Sequence, residues 1–418
     1  MPLITMSEKL HLLQVNLRKM PEAQLSLLND EDLQGYGLLL IAEPHCFRIE
    51  NRPMVSPLSH SYWNSVIPTW QDETHWPFRS MIWVRQDLKT KQIPVGSADL
   101  TAITVQLANR IILAISVYIP RDGTDHATEL VDRLRLVRET IDEVRREHSP
   151  QVVELVVAGD FNRHDQLWGG DQVGSTPRQG EAAPIIDLME DYNLQSLLPR
   201  GTKTYESERG ETTIDLMLTS SALADDRIRC EIHPTEHGSD HRAIHTSFAI
   251  QTPEQVWKPR LLFKRAPWDR IRTAVAAEVA ELGDSAEDLD AYTERFVAVV
   301  MRAIERYTPR SRPSPYTKRW WSADLTQLRR DYTYWRNRAR SHRRGGARDA
   351  SLEARAQTLR REYHKSIRVQ KRLHWDTFLA EPRNIWQASR YLQPDSTAAF
   401  AKNPIAHTGR WVDGGHGG

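Results

Sequence analysis

The chain has 418 residues and only two cysteines, Cys46 and Cys230, which excludes a disulfide framework and a Cys-based zinc knuckle. Its first residues lack a long apolar stretch, and no run of about 20 apolar residues occurs, so neither a secretory signal nor a transmembrane helix is expected and an intracellular soluble protein follows. The net charge of +1 conceals opposite halves: residues 251–418 hold 32 Lys+Arg against 19 Asp+Glu, a net of +13, which leaves −12 for residues 1–250. An acidic half suits metal binding, and a basic half with interleaved aromatics suits nucleic acid or a solvated, salt-bridged helical face.

Leu10-His11-Leu12-Leu13-Gln14-Val15 reads as a strand ending at Asn16. Residues 37–41 are a short apolar run between a glycine and Pro44, the pattern of a buried strand. Strands follow over 81–84, 101–107 and 110–118, the last two flanking Ala108-Asn109 as a hairpin turn. Leu130, Leu134, Val137, Ile141 and Val144 recur at helical spacing and form one apolar stripe. Residues 152–157 are an apolar strand broken only by Glu154, and they lead into Gly159-Asp160. A helix over 185–192 and strands over 214–218 and 242–250 complete this half.

Strands mixed with helices and hairpins predict a layered α/β sandwich over residues 8–250. Pro253, Pro259 and Pro267 interrupt any regular element and mark a linker over 251–267. Helices are expected over 268–282 and 289–307, then an extended connector at Pro309, Pro313 and Pro315. Two long basic helices over 323–342 and 348–379 follow, parted by Gly345-Gly346. Residues 268–392 thus read as a basic α-helical spacer, and 301–375 alone carry 21 basic against 6 acidic side chains. The turn formers and glycines of 393–418 predict a disordered tail.

Five short segments each leave an acid, amide or aromatic or imidazole group at a strand end. They are Leu13-Gln14-Val15-Asn16, Ile41-Ala42-Glu43-Pro44, Ser116-Val117-Tyr118-Ile119-Pro120, Gly159-Asp160-Phe161-Asn162 and Gly238-Ser239-Asp240-His241. A sixth, Thr213-Ile214-Asp215-Leu216, supplies a carboxylate behind them. Each alone reads equally well as a turn, a loop end, a cap or a buried strand residue; together, in this order, they make one constellation. Phosphodiester hydrolysis needs charge neutralised on the phosphoryl and leaving oxygens and a water held in line. Mg²⁺ takes few carboxylates and keeps several waters, and Glu43, after a buried strand and before a proline, fits its chief ligand. Gly-Asp-x-Asn turns Asp160 and Asn162 to one side. A protonated His241 stabilises transition-state charge, with Asp215 holding its ring.

These segments resemble the endonuclease/exonuclease/phosphatase superfamily and, within it, the endonuclease domain of non-LTR retrotransposons, which nicks target DNA for reverse transcription. The resemblance implies a two-sheet core with helices on both outer faces. It implies Glu43 as metal ligand, with Asn16 and Asp240 beside the metal and phosphate. It gives Asp160 the attacking water, Asn162 a phosphoryl oxygen, and Tyr118 a hydrogen bond to the phosphate. Ala42 departs from the family, where Gln commonly precedes the acid, but that side chain is not a ligand. Arg163-His164-Asp165-Gln166-Leu167-Trp168-Gly169-Gly170 resembles the extension after this motif in retroelement endonucleases, and Trp168 there also reads as a core residue. Leu223-Ala224-Asp225-Asp226 imitates the aspartate pair of a polymerase, but it lies inside the nuclease half, so both aspartates are read as loop residues.

In the basic half, Lys318-Arg319-Trp320-Trp321-Ser322, Leu328-Arg329-Arg330 and Lys371-Arg372-Leu373-His374-Trp375 resemble the spacer between endonuclease and reverse transcriptase. Arg319, Arg329, Arg330, Lys371 and Arg372 are the nucleic-acid-binding candidates. Trp320, Trp321, Trp335 and Trp375 either stack on bases or bury against helices. The expected protein is a Mg²⁺-dependent DNA endonuclease, with Mn²⁺ as a substitute ion, that nicks target DNA for retrotransposition and lacks its reverse transcriptase domain. DNA is the expected partner, element RNA a second one, and the nucleus the expected compartment. Two rival readings are a phosphatase or phospholipase of the same superfamily and a catalytically silent nucleic-acid-binding remnant.

Overall fold

The computed structural model describes residues 6–7, 9–49, 52–57, 60–71, 76–121, 126–171, 173, 181–207, 210–253, 261–281, 289–310, 320–346, 349–382 and 384. In chain order the first elements are β1 (Met6–Ser7), β2 (Leu10–Asn16), α1 (Pro21–Leu28), β3 (Leu38–Ala42), β4 (Cys46–Ile49), β5 (Arg52–Val55), β6 (Trp63–Val66), β7 (Ser80–Arg85), β8 (Lys89–Ile93), β9 (Leu100–Gln106) and β10 (Ile111–Tyr118). Next come α2 (His126–His148), β11 (Val153–Asp160), α3 (Gln166–Gly169), α4 (Ala183–Asp191), β12 (Leu194–Ser196), β13 (Tyr205–Ser207), β14 (Gly210–Thr212), β15 (Asp215–Ser220), α5 (Ser221–Asp225), β16 (Arg227–Ile232), β17 (Ile244–Phe248) and β18 (Thr252–Pro253). Four helices follow: α6 (Trp268–Ala280), α7 (Leu289–Tyr307), α8 (Ala323–Arg344) and α9 (Ala350–Ala380).

Two mixed six-stranded sheets dominate, in the orders β16-β17-β2-β3-β7-β6 and β12-β15-β11-β10-β9-β8. Each has one parallel pair at its centre, β2 with β3 and β10 with β11. The period-two alternation of the strands decides what faces what. Ile112, Ala114, Val156 and Ala158 pack inward against Leu10, Leu12, Leu38 and Leu40 of the other sheet. Their neighbours Leu113, Ile115, Leu155 and Val157 pack outward against the α2 stripe of Leu130, Leu134, Val137, Ile141 and Val144. Strands buried on both faces read as continuous apolar runs, and the exception proves instructive. Glu154 breaks the β11 run because it meets Arg110 at 3.2 Å, and Arg110 also binds Asp226 at 2.6 Å. Asp225 is the last residue of α5, where a loop was expected, and Asp226 lies in the turn that follows, as expected.

Gly159 of β11 lies opposite Val117 of β10. A Cβ there would lie 1.8 Å from the Val117 carbonyl oxygen. Backbone cannot yield as a side-chain tip can, so Gly159→Ala is expected to destabilise the fold by about 3 kcal/mol or more, read as a fall in the urea midpoint.

The chain divides into two compact units, one joining residues 1–254 with 316–418 and the other holding 255–315. The smaller unit pairs α6 with α7 around buried Ile271, Val299 and Ala303. The larger unit joins the first half of the chain with the α8–α9 region. Trp320, Trp321, Leu325, Tyr332, Leu359, Tyr363 and Ile367 of the α8–α9 region share a core with Leu25 of α1. Their arginines find acids of the first half: Arg329 meets Asp30 at 3.0 Å, and Arg368 meets Glu22 at 2.8 Å. Opposite net charges in the two halves are thus partly neutralised against each other. Part of the expected linker (254–260), Pro313, Pro315 and the tail 393–418 lie outside the described residues.

Candidate active site

The carboxyl ends of β2, β3, β10 and β11 converge at one edge of the sandwich; β2, β10 and β11 end on Asn16, Tyr118 and Asp160, and Glu43 follows β3 directly. Ladder pairing brings them together: Asn16 lies opposite Ala42, Tyr118 opposite Asp160, and Asp160 opposite Asp215. Asn16 Nδ2 donates to Asp160 Oδ2 at 2.8 Å and to Glu43 Oε2 at 3.2 Å. Its Oδ1 accepts from the Arg18 backbone N–H at 2.7 Å. Asn16 thus joins the two acids, with its amide nitrogen between Glu43 and Asp160.

Asp160 is buried and also accepts from the backbone N–H and side-chain Nδ2 of Asn162, at 3.0 and 3.1 Å. Burial, with the Asp215 charge second, pushes the Asp160 carboxyl well above the usual carboxylate range. Asp215 is held at both oxygens, by Gln14 Nε2 at 3.1 Å and by His241 Nδ1 at 2.8 Å. His241 Nε2 lies 3.9 Å from Asp160 Oδ2. Burial of the His241 ring pulls its pKa down, but Asp215, Asp160 and Asp240 outweigh this and push it up to about 9. The imidazole is therefore cationic at neutral pH, donating from Nδ1 to Asp215 and carrying a second N–H at Nε2. Tyr118 stands beside them with the Arg79 guanidinium 5.4 Å from its ring centre. Burial and the charges of Glu43 and Asp160 raise its pKa, so the phenol stays a donor.

Strain collects here. Five described residues other than glycine have positive φ, and Arg18, Lys19, Glu43 and Asn162 are four of them. Left-handed backbone in such residues persists only where the surroundings impose it, as at sites that need fixed geometry.

Two donor sets suit a divalent cation. The side chains of Asp160, Asp215 and His241 can present ligand atoms within 4.8 Å of one another. They are, however, largely taken up by hydrogen bonds among themselves and with Gln14, Asn16 and Asn162. Glu43 and Asp240 are hard oxygen donors of the kind Mg²⁺ takes, and Asp240 Oδ1 is buried without a hydrogen-bond partner. Lys19 reaches Glu43 at 3.3 Å and Arg18 reaches Asp240, so cations already sit beside both acids.

Gln14, Arg18, Lys19, Ser239 and Tyr205 belong to this site and were not among the expected residues. Gln14 had a signal, since it shares the Asn16 face of β2 by period two. Ser239 Oγ donates to the Asn16 carbonyl at 2.7 Å, tying the 238–241 loop to β2. Of the nucleic-acid-binding candidates, Arg329 is buried in its ion pair with Asp30, which removes it from any surface contact. Arg330, Lys371 and Arg372 are exposed, and Arg319 lies outside the described residues. Trp320, Trp321 and Trp168 are core residues, whereas Trp375 is 45% exposed.

Residues 112–245 match the family model described as endonuclease-reverse transcriptase. Similar solved structures include the endonuclease domain of TRAS1, a telomere-specific non-LTR retrotransposon, at 17% identity and TM-score 0.46, over 58% of this chain and 100% of that one. The AP endonuclease LMAP from Leishmania major matches at 13% identity and TM-score 0.44, over 58% and 88%. The catalytic domain of Xenopus laevis APE2 matches at 13% identity and TM-score 0.46, over 60% and 94%. No curated protein matches the chain. No helix among the described residues is long and apolar enough to cross a membrane.

Proposed function

We propose that this chain, whose residues 112–245 match the family model described as endonuclease-reverse transcriptase, is a divalent-metal-dependent DNA endonuclease of a non-LTR retrotransposon. The observation that carries the reading is the unbroken chain of contacts Glu43–Asn16–Asp160, with the His241–Asp215 pair against its far end. Such a cluster answers both needs of phosphodiester hydrolysis, a placed base and placed positive charge. Glu43 and Asp240 would hold Mg²⁺, or Mn²⁺ in its place, and the ion would neutralise charge on the phosphoryl oxygens. Asp160, with a raised pKa and an oriented carboxyl, aligns the attacking water and takes its proton. Tyr118 presents its O–H to a phosphoryl oxygen, while Asn162, expected there too, donates its Nδ2 to Asp160 and to the Ile119 carbonyl and so holds the base in place. Cationic His241 balances the charge that develops on the phosphoryl oxygens, and Asp215 fixes its ring.

Purified protein is expected to convert supercoiled plasmid to open circle with Mg²⁺ and to stop in chelator. Glu43→Ala is expected to lower the rate by about 10²–10³-fold. Nicking that persists in chelator, or a fully active Glu43→Ala protein, overturns the reading in favour of a metal-free one, and no nicking under any condition overturns it in favour of a silent one.

DNA is the proposed partner, with element RNA as a second ligand, and action on genomic DNA sets its place in the nucleus. Arg330, Lys371 and Arg372, all exposed, are the described basic candidates left for phosphate contact. Changing all three to alanine is expected to weaken DNA binding at low salt and to reduce the slope of log affinity against log salt by about 3 if each meets one phosphate. An unchanged slope in a filter-binding titration removes them from the interface.

A further inference from the structure

We propose that α8 and α9 are positioning elements of the active site, acting through Glu206 and Gly238 on the loop that carries Asp240 and His241; this rests on the nuclease reading above. The loop is gripped along its length by the two helices. On α8, Asn337 Nδ2 donates to the Pro234 carbonyl at 3.0 Å, Thr333 Oγ1 accepts from the Glu236 N–H at 3.2 Å, and Arg340 pairs with the Glu236 carboxylate. On α9, Arg360 Nε donates to the Gly238 carbonyl at 2.9 Å. The His364 ring fills the space a side chain at 238 would need: a Cβ there would lie 2.0 Å from His364 Nε2, and φ is +96°. The very next residues are Ser239, bonded to β2, then Asp240 and His241.

A second grip comes from the other side. Glu206 of β13 meets Arg336 at 2.7 Å and Arg340 and Arg343 at 2.9 Å each, all on α8. Its backbone N–H donates to the Asp240 carbonyl at 3.0 Å, and Arg242 N–H donates to the Thr204 carbonyl at 2.7 Å. The Tyr205 ring, between those two bonds, lies 4.7 Å from the His241 ring centre. The strand fixed by α8 therefore packs directly on the imidazole. Asp240 and His241 move together if this strand or this loop moves, and a displacement of about 1 Å at reacting groups costs up to about 10²-fold in rate.

The test uses the full chain with Glu206→Gln, Arg360→Met and Arg360→Lys. Plasmid nicking should show kcat lower by about ten- to a hundredfold in Glu206→Gln and Arg360→Met, with KM nearly unchanged. Arg360→Lys, which keeps a charged N–H donor for the Gly238 carbonyl, should recover much of the loss. A purely structural role would leave the His241 Nδ1 proton unmoved, so its low-field NMR signal is the second readout, expected to shift in both impaired variants. Folded variants with wild-type kcat and an unshifted signal overturn the proposal. If the wild type does not nick DNA, the nuclease reading falls, and the His241 signal alone still decides whether the helices position the loop. If Glu206→Gln does not fold, the two Arg360 variants decide.

Discussion

Asp160→Asn is expected to reduce nicking by about 10²–10³-fold while the protein folds as well as the wild type or better. The side chain keeps its size but loses the charge that orients water, and its new amide places N–H groups against the donors Asn16 and Asn162. Activity falls for a local reason. Stability should not, because burial and Asp215 already disfavour the charged carboxylate in the folded state. A group whose folded pKa is raised opposes folding once it ionises, so removing that charge relieves the fold at neutral pH. Active sites commonly hold such unfavourable charge for the sake of chemistry. His241→Ala should lose similar activity and also lose stability, since it leaves Asp160 and Asp215 side by side without their cation. Asp215→Asn should be milder than either, because it keeps a partner for the His241 ring and for Gln14 and removes only the carboxylate charge. The check is kcat beside the thermal midpoint for all three. A fully active Asp160→Asn protein, or one that nicks less only because it is unfolded, rejects the assignment.

How much of this could be read from residues follows from the range of the interactions. The buried central strands announce themselves as apolar runs, so β2, β3, β10 and β11 were legible, and with them Asn16, Glu43, Tyr118 and Asp160 at their ends. The α2 stripe was legible because its neighbours are local. Short edge and hairpin strands such as β8, β13 and β14 were not, since they mix exposed and half-buried residues and carry no run. The β13 hairpin matters most, because Tyr205 and Glu206 shape the site from an element with no signature. The charge split was visible in composition, but its use was not. A basic helix facing phosphate and a basic helix facing its own protein's acids have the same sequence pattern. Arg329 and Asp30 lie 299 positions apart, and only the tertiary fold joins them.

The same long-range pairing sets the second large effect, at Arg340. Its side chain is buried, pairs with the equally buried Glu236, and reaches Glu206 at 2.9 Å. Arg340→Ala removes the cation paired with buried Glu236, while Arg336 and Arg343 still face Glu206. Breaking one side of a buried pair costs about 3–5 kcal/mol, because the remaining charge stays out of water. The expected result is a loss of that size in urea unfolding at pH 7. Acid should weaken the same clamp. Burial tends to raise the Glu206 pKa, but Arg336, Arg340 and Arg343 outweigh it and hold the carboxyl at about 2. Its folded pKa thus lies below the ordinary 4.5, so the stabilisation is complete above about pH 4.5 and is lost as pH falls from there toward about 2. Unfolding followed between pH 7 and 3 should show wild-type stability dropping in that window, and Glu206→Gln should lose this part of the slope. Equal acid slopes in the two proteins would mean that the arginines hold Glu206 by packing and not by charge.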